Sequence, residues 1–165
     1  MSIATPLLME LEQEAQTTRR VLERIPEQQL RWKPHPRSFS LGQLGLHIAI
    51  VPGAIAQLAQ QDMNTPPAFV QPEADSKAQI LAALDESLAT AKRLVGGMSD
   101  ETLLATWTMK NGERVAMQLP RVALLRAVML NHWYHHRGQL CVYLRMLDVP
   151  VPAVYGVSAD ENPLA

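Results

Sequence analysis

Three histidines lie close together near the C-terminal end of the chain, in the segment NHWYHHRGQL at residues 131–140. They are His132, His135 and His136, and the chain of 165 residues has 5 histidines in all. His132 and His136 are four residues apart, so on a helix they lie one turn apart on the same face. Two neutral imidazoles at this spacing can bind one metal ion. The segment therefore predicts part of a metal site.

A third nitrogen ligand is expected from His47, which lies on the apolar face of a different predicted helix. Because apolar residues continue the face that His132 and His136 share, all three imidazoles are expected to point into the protein interior. Three protein ligands with an open coordination position are typical of a catalytic metal site, whereas four closed ligands are typical of a structural one. These three histidines form the predicted metal site.

Each histidine also has a simpler interpretation. His47 by itself would more often be a hydrogen-bonded core residue, and buried neutral imidazoles need hydrogen-bond partners of their own. His135 competes with His136, since it follows His132 by three residues and can face the same way. His136 follows the apolar stripe better, which places His135 at the rim of the site. His35, between two prolines in KPHPR, is expected on a surface loop.

The common catalytic motifs are absent from the chain. The zinc-protease signature H-E-x-x-H requires a glutamate after the first histidine, but Trp133 occupies that position. The nucleophile-elbow, P-loop and dinucleotide-binding motifs do not occur either. Proximity in the sequence alone supplies candidates for supporting the ligands or contacting a substrate, namely Tyr134, His135, Arg137 and Gln139.

The elements that must position these residues follow from the spacing of apolar side chains. Apolar residues recur at intervals of three and four in four segments, which predicts amphipathic helices at about residues 5–25, 40–58, 76–96 and 121–148. Capping boxes of the form S-x-x-Q open the second helix at Ser40 and the third at Ser76. Pro52 interrupts the second helix and deprives the carbonyl of Ile48 of its helical donor, which predicts a kink.

One short segment departs from the helical period. In TWTMKNGERVAMQ, residues 106–118, Asn111 and Gly112 separate two alternating runs, which predicts a β-hairpin with both residues in the positive-φ positions of a type I′ turn. The predicted fold is all-α: a four-helix bundle, with a small β-hairpin insertion before the last helix, in a single domain spanning residues 1–165.

Composition argues against several classes of protein. The net charge is −1, so the chain lacks the basic excess that is typical of nucleic-acid binding. No run approaches the roughly 18 apolar residues that cross a bilayer, and the start of the chain lacks a signal peptide's basic region. Cys141 is the one cysteine, which excludes an intramolecular disulfide, and it is expected to pack in the interior. We expect a cytoplasmic protein.

Three segments resemble the DinB-like (YfiT-like) family of metal-dependent four-helix bundles. They are SFSLGQLGLHIA around His47, NHWYHHRGQLCVYLRMLDVPVP around His132 and His136, and the closing YGVSADE. The resemblance spans nearly the whole chain, and the H-x-x-x-H-R-G-Q-L run is its most specific part. Phe39 is a departure, because the family often has tryptophan there; this changes a packing residue and not a ligand.

The resemblance implies a homodimeric bundle that binds a divalent ion, nickel or zinc, through His47, His132 and His136. It also implies a reaction, since characterised relatives include thiol-dependent S-transferases and a thiol-dependent isomerase. The expected function is therefore a transferase, or a related metal-dependent enzyme such as a hydrolase, that acts on a small electrophilic substrate with a low-molecular-weight thiol. The alternatives are a metal- or ligand-binding bundle without turnover and a bundle whose histidines are purely structural. Asp160 and Glu161 in the tail are expected to be solvated.

Overall fold

A computed structural model describes residues 2–68 and 70–164 and consists mainly of helices. Helices α1 (Ala4–Glu23), α2 (Leu41–Leu58) and α3 (Lys77–Gly96) are followed by a short helix α4 (Asp100–Leu104). Strands β1 (Thr106–Asn111) and β2 (Arg114–Pro120) form an antiparallel pair. The last long helix is continuous and consists of α5 (Arg121–Leu124), a π-helical segment (Leu125–Asn131) and α6 (His132–Met146). The predicted all-α bundle with a hairpin before the last helix is confirmed.

The four long helices are not arranged in simple sequence order. Helix α3 packs against α1 and α2, and α6 packs against the same two helices. Helices α1 and α2, which are consecutive in the chain, therefore each lie between α3 and α6. The long connection between α1 and α2 makes this arrangement possible, and it places α2 and α6 side by side.

Local sequence explains where the helices begin. Ser40 accepts a hydrogen bond from the backbone of Gln43 at 3.0 Å, while the Gln43 side chain accepts one from the backbone of Ser40 at 3.0 Å, so the predicted capping box is complete. At α3 the box is only half formed. Ser76 accepts from Gln79 at 3.1 Å, but the Gln79 side chain accepts from the backbone of Asp75 instead of Ser76.

Helices α2 and α3 approach closely at glycines. A side chain at Gly53 would lie 2.9 Å from the Ser87 carbonyl oxygen, and one at Gly45 would lie 3.0 Å from Ile80. The Gly53 N–H donates to the Ser87 hydroxyl at 2.8 Å, and α2 continues without interruption through Pro52 to Leu58. Helix α2 is long and apolar enough to cross a membrane by length and composition, with a mean hydropathy of 1.4, but 67% of it is buried inside the structure. It is the central helix of a globular domain.

The hairpin differs from its prediction by one residue. Asn111 pairs with Arg114 at the end of the ladder, so Gly112 and Glu113 form the loop. Gly112 has φ of 62°, and no positive φ occurs at Asn111. Positive φ at the first loop residue alone is typical of a type II′ turn rather than the expected type I′. The stem is anchored by Trp107, whose indole donates to carbonyls at the end of α2.

The buried face of α6 is also displaced from the predicted stripe. Its fully buried residues are Trp133, Arg137, Leu140 and Leu144, whereas His132 and His136 are half-buried beside them. The prediction placed His132 and His136 at the middle of the buried face, and this was wrong, because Trp133, the residue after His132, lies there instead. The large indole of Trp133 occupies the middle and leaves the histidines on the side that faces α2.

Candidate metal centre

His47, His132 and His136 come together in one cluster between α2 and α6. The ring centroids of His132 and His136 are 4.4 Å apart, and that of His47 lies 4.5 Å from His136 and 5.3 Å from His132. One ring nitrogen of each histidine lies within 4.8 Å of the other two. The two elements that the sequence assigned to these residues thus bring the predicted ligands within reach of a single ion.

Two glutamine side chains orient the imidazoles. The Nδ1 atom of His47 lies 3.0 Å from the amide oxygen of Gln71, and Nδ1 of His136 lies 2.6 Å from that of Gln139. An amide oxygen only accepts, so each Nδ1 carries the proton and each Nε2 carries a lone pair. Second partners of this kind commonly fix the tautomer of histidines that bind metals.

The third imidazole is held less firmly. The Nδ1 atom of His132 is buried and has no partner in full hydrogen-bond geometry. The Val128 carbonyl of the preceding turn opposes the lowering of the His132 pKa by burial. No partner at Nδ1 therefore fixes the tautomer of His132, in contrast to His47 and His136.

The Nε2 atoms of His132 and His136 lie only 2.7 Å apart. At this distance one Nε2–H donates to the other Nε2 in the absence of metal, and a divalent ion that replaced this proton would be bound by both nitrogens. Imidazole nitrogen suits zinc, copper, iron and nickel. The donor set of this cluster therefore fits a transition-metal ion.

Burial keeps the cluster uncharged near neutral pH. Desolvation is the largest cause that lowers the pKa of His47 and of His132 below the ordinary 6.5, and it lowers that of His136 to about 4. The hydrogen bonds that the rings donate to Gln71 and Gln139 oppose this shift, while repulsion from neighbouring histidines adds to it. Neutral imidazoles are the form that binds a metal ion.

Among the four supporting candidates, two lie at the site and two do not. Gln139 contacts His136, and the exposed ring of His135 lies 5.0 Å from that of His136, at the rim as expected. Tyr134 instead donates to Glu10 on α1 at 2.9 Å. Arg137 is buried on the core side of α6 and also contacts α1, away from the three histidines.

Arg137 is the centre of a second polar cluster. Its guanidinium lies 2.6 Å from the Glu14 carboxylate, donates to Thr18 at 3.1 Å and also donates to the Tyr155 hydroxyl. The rings of Tyr134 and Tyr155 lie 5.2 and 5.0 Å from its guanidinium carbon. This cluster joins α6 to α1 and to the C-terminal tail, so Arg137 supports the helix rather than the ligands.

Cys141 lies on the same side of α6 as the Arg137 cluster. It is half-buried and lines a groove of about 500 Å³ between α6 and the tail, so the expectation of simple interior packing was only partly met. Burial raises the pKa of its thiol. A protonated thiol on the far side of the helix does not take part in the histidine cluster.

Sequence reasoning missed Gln71, which reaches His47 from the long loop between α2 and α3. Its backbone carbonyl accepts from the side chain of Gln43, which ties the loop to the start of α2. No motif or periodicity marks a glutamine in a proline-rich loop, so only the tertiary structure reveals it. Phe39 also lies against the site, with its ring 5.7 Å from that of His47. His35 is exposed on a loop, as expected.

The C-terminal tail is not solvated in the way the sequence suggested. Asp160 pairs with Arg145 and accepts from the backbone of Val151, while Glu161 pairs with Arg20 on α1 and with Arg24 directly after it. The hydrogen bond from Arg145 lowers the pKa of Asp160, and a hydrogen bond from the backbone of Ala153, followed by the arginines, lowers that of Glu161. The tail is thereby fastened across α1 and α6, where Tyr155 reaches Arg137.

Comparisons with known proteins agree with this architecture. The model of the DinB family matches residues 1–163. The uncharacterized protein YrdA of Bacillus subtilis (strain 168) is 26% identical over 154 residues, which cover 90% of this chain and 85% of YrdA. A DinB-like protein from Bacillus cereus, 21% identical, superposes with a TM-score of 0.73 over 93% of this chain and 98% of its own. The DinB-like protein YjoA from Bacillus subtilis, 18% identical, gives 0.69 over 90% and 96%.

Proposed function

Because the chain belongs to the DinB family, and its three histidines converge, we propose that it binds one divalent metal ion through His47, His132 and His136. The observation that carries this proposal is the convergence of three neutral imidazoles, two of which are held through Nδ1 by glutamine side chains. Three nitrogen ligands leave at least one coordination position for a water or a substrate. We propose nickel or zinc as the ion, since both suit imidazole.

We further propose that the site supports transfer of a low-molecular-weight thiol to a small electrophilic substrate. A divalent ion held by neutral ligands would supply the positive charge that lowers the pKa of a thiol or water beside it. The thiolate sulfur would form the new bond to the electrophilic carbon, whose leaving group departs with the bond's electron pair. The histidines contribute by staying neutral, and Gln71 and Gln139 contribute by holding two of the rings.

A second candidate is a metal-binding protein without turnover. Among the described residues the cluster contains three histidines and no carboxylate, so no side chain there is placed as a general base. A thiol that loses its proton to solvent needs no such base, whereas hydrolysis depends on one more strongly. This difference favours thiol transfer over hydrolysis if the protein turns over a substrate.

Metal content of purified variants tests the site. We expect about one ion per chain in the wild type and a large loss in His132→Ala and His136→Ala, measured by elemental analysis after dialysis. His135→Ala is the matched control, because this neighbouring histidine is exposed and outside the cluster. Wild-type content in both ligand variants contradicts the proposed site. Loss of metal in His135→Ala, with retention of metal in His136→Ala, would make His135 the ligand in place of His136.

Turnover is tested separately, by incubating the metal-loaded protein with a panel of thiols and a chromogenic electrophile. Thiol-dependent product formation that disappears in His136→Ala supports the transferase. Metal binding without turnover across the panel favours the second candidate.

We also propose that the protein is a cytoplasmic homodimer. Because the net charge is −1, we propose that it binds no nucleic acid. Sedimentation velocity tests the homodimer, and a DNA anisotropy titration tests the absence of nucleic-acid binding.

A further inference from the structure

Pro52 lies inside α2, four residues after Ile48. Proline has no N–H, so the Ile48 carbonyl lacks the donor that an α-helix normally supplies. In the structure the indole Nε1 of Trp133 donates to this carbonyl at 2.8 Å. Ile48 and Trp133 are both 0% exposed, so water does not replace this bond. A carbonyl that proline leaves open in one helix is used by a tryptophan of another.

The two bonded residues directly follow two of the site histidines in the chain. Ile48 follows His47 on α2, and Trp133 follows His132 on α6. A hydrogen bond requires both a short distance and a good angle. The bond from Trp133 to Ile48 therefore restricts the separation of the two helices, and the rotation of α6, at the level of the ligands.

Rotation of α6 is important because its histidines are not at the middle of the buried face. A small turn of the helix about its axis would carry His132 and His136 away from His47. The π-helical segment Leu125–Asn131 ends directly before His132, so the ligand turn does not continue a regular α-helix. Such segments change the register of the residues that follow them. A specific contact at the first turn of α6 is needed to set this register.

We propose that Trp133 is a positioning residue for the metal site. Its indole N–H, bound to the carbonyl that Pro52 leaves open, holds α6 so that His132 and His136 face His47. The inference rests on the proposed metal-binding function. It gives a role to Pro52 as well, because an N–H at that position would compete for the same carbonyl.

Trp133→Phe tests the role of the indole, since it keeps an aromatic ring and removes the donor. We expect Zn²⁺ affinity, measured by competition with a chromophoric chelator, to fall about tenfold or more, as is typical when a group that orients a ligand is lost. The matched control is Trp107→Phe. Trp107 is 1% exposed and donates to Leu58 and Gln61, so it also loses a buried indole bond, but far from the ligands. We expect wild-type affinity in this control.

Pro52→Ala provides a second, independent test. It restores a backbone donor for the Ile48 carbonyl from within α2, so Zn²⁺ affinity should fall in this variant also. In that background Trp133→Phe should cost much less affinity than it does in the wild type, because the indole bond is already displaced. If Trp133→Phe loses its helical circular dichroism, the test rests on Pro52→Ala alone. Wild-type Zn²⁺ affinity in Pro52→Ala then overturns the proposal.

The remaining outcomes separate the two proposals. A wild type that binds no Zn²⁺ overturns the metal site and this inference together. Zn²⁺ binding by the wild type, with unchanged affinity in Trp133→Phe, overturns only the positioning role. The positioning role is also overturned if the fold-losses of Zn²⁺ affinity in the two single variants multiply in the double variant. That result would show that Trp133 and Pro52 do not act through one carbonyl.

Discussion

At the residue scale, the cluster depends on the protonation state of three imidazoles. Burial disfavours the imidazolium form, and neighbouring rings that were both protonated would repel each other. The amide oxygens of Gln71 and Gln139 accept at Nδ1, which directs the lone pairs inward. The three imidazoles are consequently uncharged near neutral pH, which is the protonation state that binds a cation.

This arrangement predicts how the stability of the metal-free protein depends on pH. The pKa of His136 falls from 6.5 to about 4 on folding, and those of His47 and His132 are lowered as well. The unfolded chain therefore takes up protons first as pH falls, so stability is complete above pH 6.5 and decreases toward pH 4. Urea unfolding in the presence of a chelator measures this slope.

The control for the pH prediction is His136→Gln, which cannot titrate. We expect its free energy of unfolding to depend less steeply on pH between 6.5 and 4 than that of the wild type. Equal slopes in the two proteins would show that His136 keeps an ordinary pKa in the folded state.

Gln71 supports a second prediction at this scale. Gln71→Leu removes the acceptor at Nδ1 of His47, so the ring is free to change tautomer and orientation. We expect metal affinity to fall by about 10–100-fold, with little change in helix content. Isothermal titration with Zn²⁺ measures the effect. Gln60→Leu is a suitable control, because the Gln60 side chain, just after α2, donates to the Ala56 carbonyl in the last turn of that helix; equal losses in both variants would exclude a specific role for Gln71.

At the element scale, α6 has different neighbours on each side. One side faces α2 and carries the histidines, the buried side carries Trp133 and Arg137, and a third side lines the groove next to the tail. The buried ion pair of Arg137 with Glu14 fastens the helix to α1. Such a pair is expensive to break, because the remaining charge has no partner in the interior.

Glu14→Gln tests the contribution of this ion pair to stability. The side chains of Glu14 and Arg137 are 10% and 2% exposed, so we expect a loss of about 3–5 kcal/mol in the free energy of unfolding. Glu12→Gln breaks the exposed pair with Lys92 and should cost about 1 kcal/mol or less. Chemical denaturation of both variants provides the comparison, and equal costs would contradict a buried role for Glu14.

At the scale of the whole molecule, the metal site joins helices that are far apart in the sequence. His47 comes from α2 and the other ligands from α6, while the tail crosses α1 and α6 on the opposite side. The leucine and isoleucine core does not include the ligands, so the bundle is expected to fold without metal. A bound ion should then stabilise the native state by mass action.

Thermal unfolding tests this relation. At a metal concentration about 100 times Kd the stabilisation is about 2.7 kcal/mol, which corresponds to a rise in Tm of roughly 5–10 °C for a protein of this size. His47→Ala should keep its helical spectrum and lose most of this rise, because two nitrogens on one helix form a weak site. An undiminished rise in His47→Ala would mean that the third ligand is another residue, with His35 and His135 the next candidates.

Local patterns were sufficient to predict the helices, the hairpin and the three histidines of the cluster. The spacing of apolar residues, the Ser40 capping box and the i, i+4 histidines depend only on neighbours in the chain, and these features are present in the structure. The rotation of α6 could not be predicted in the same way. Trp133 and His132 compete for the interior side of one helix, and the volume of the indole settles that competition only when α2 is present.

The contacts that complete the cluster depend on the tertiary structure alone. Gln71 reaches His47 from a loop 24 residues further along the chain, and Arg137 meets Glu14 on a helix at the other end of it. The sequence shows that Pro52 leaves the Ile48 carbonyl without a helical donor, because this follows from the chemistry of proline. Only the packing of α6 against α2 decides that the donor which replaces it is Trp133, beside the histidines.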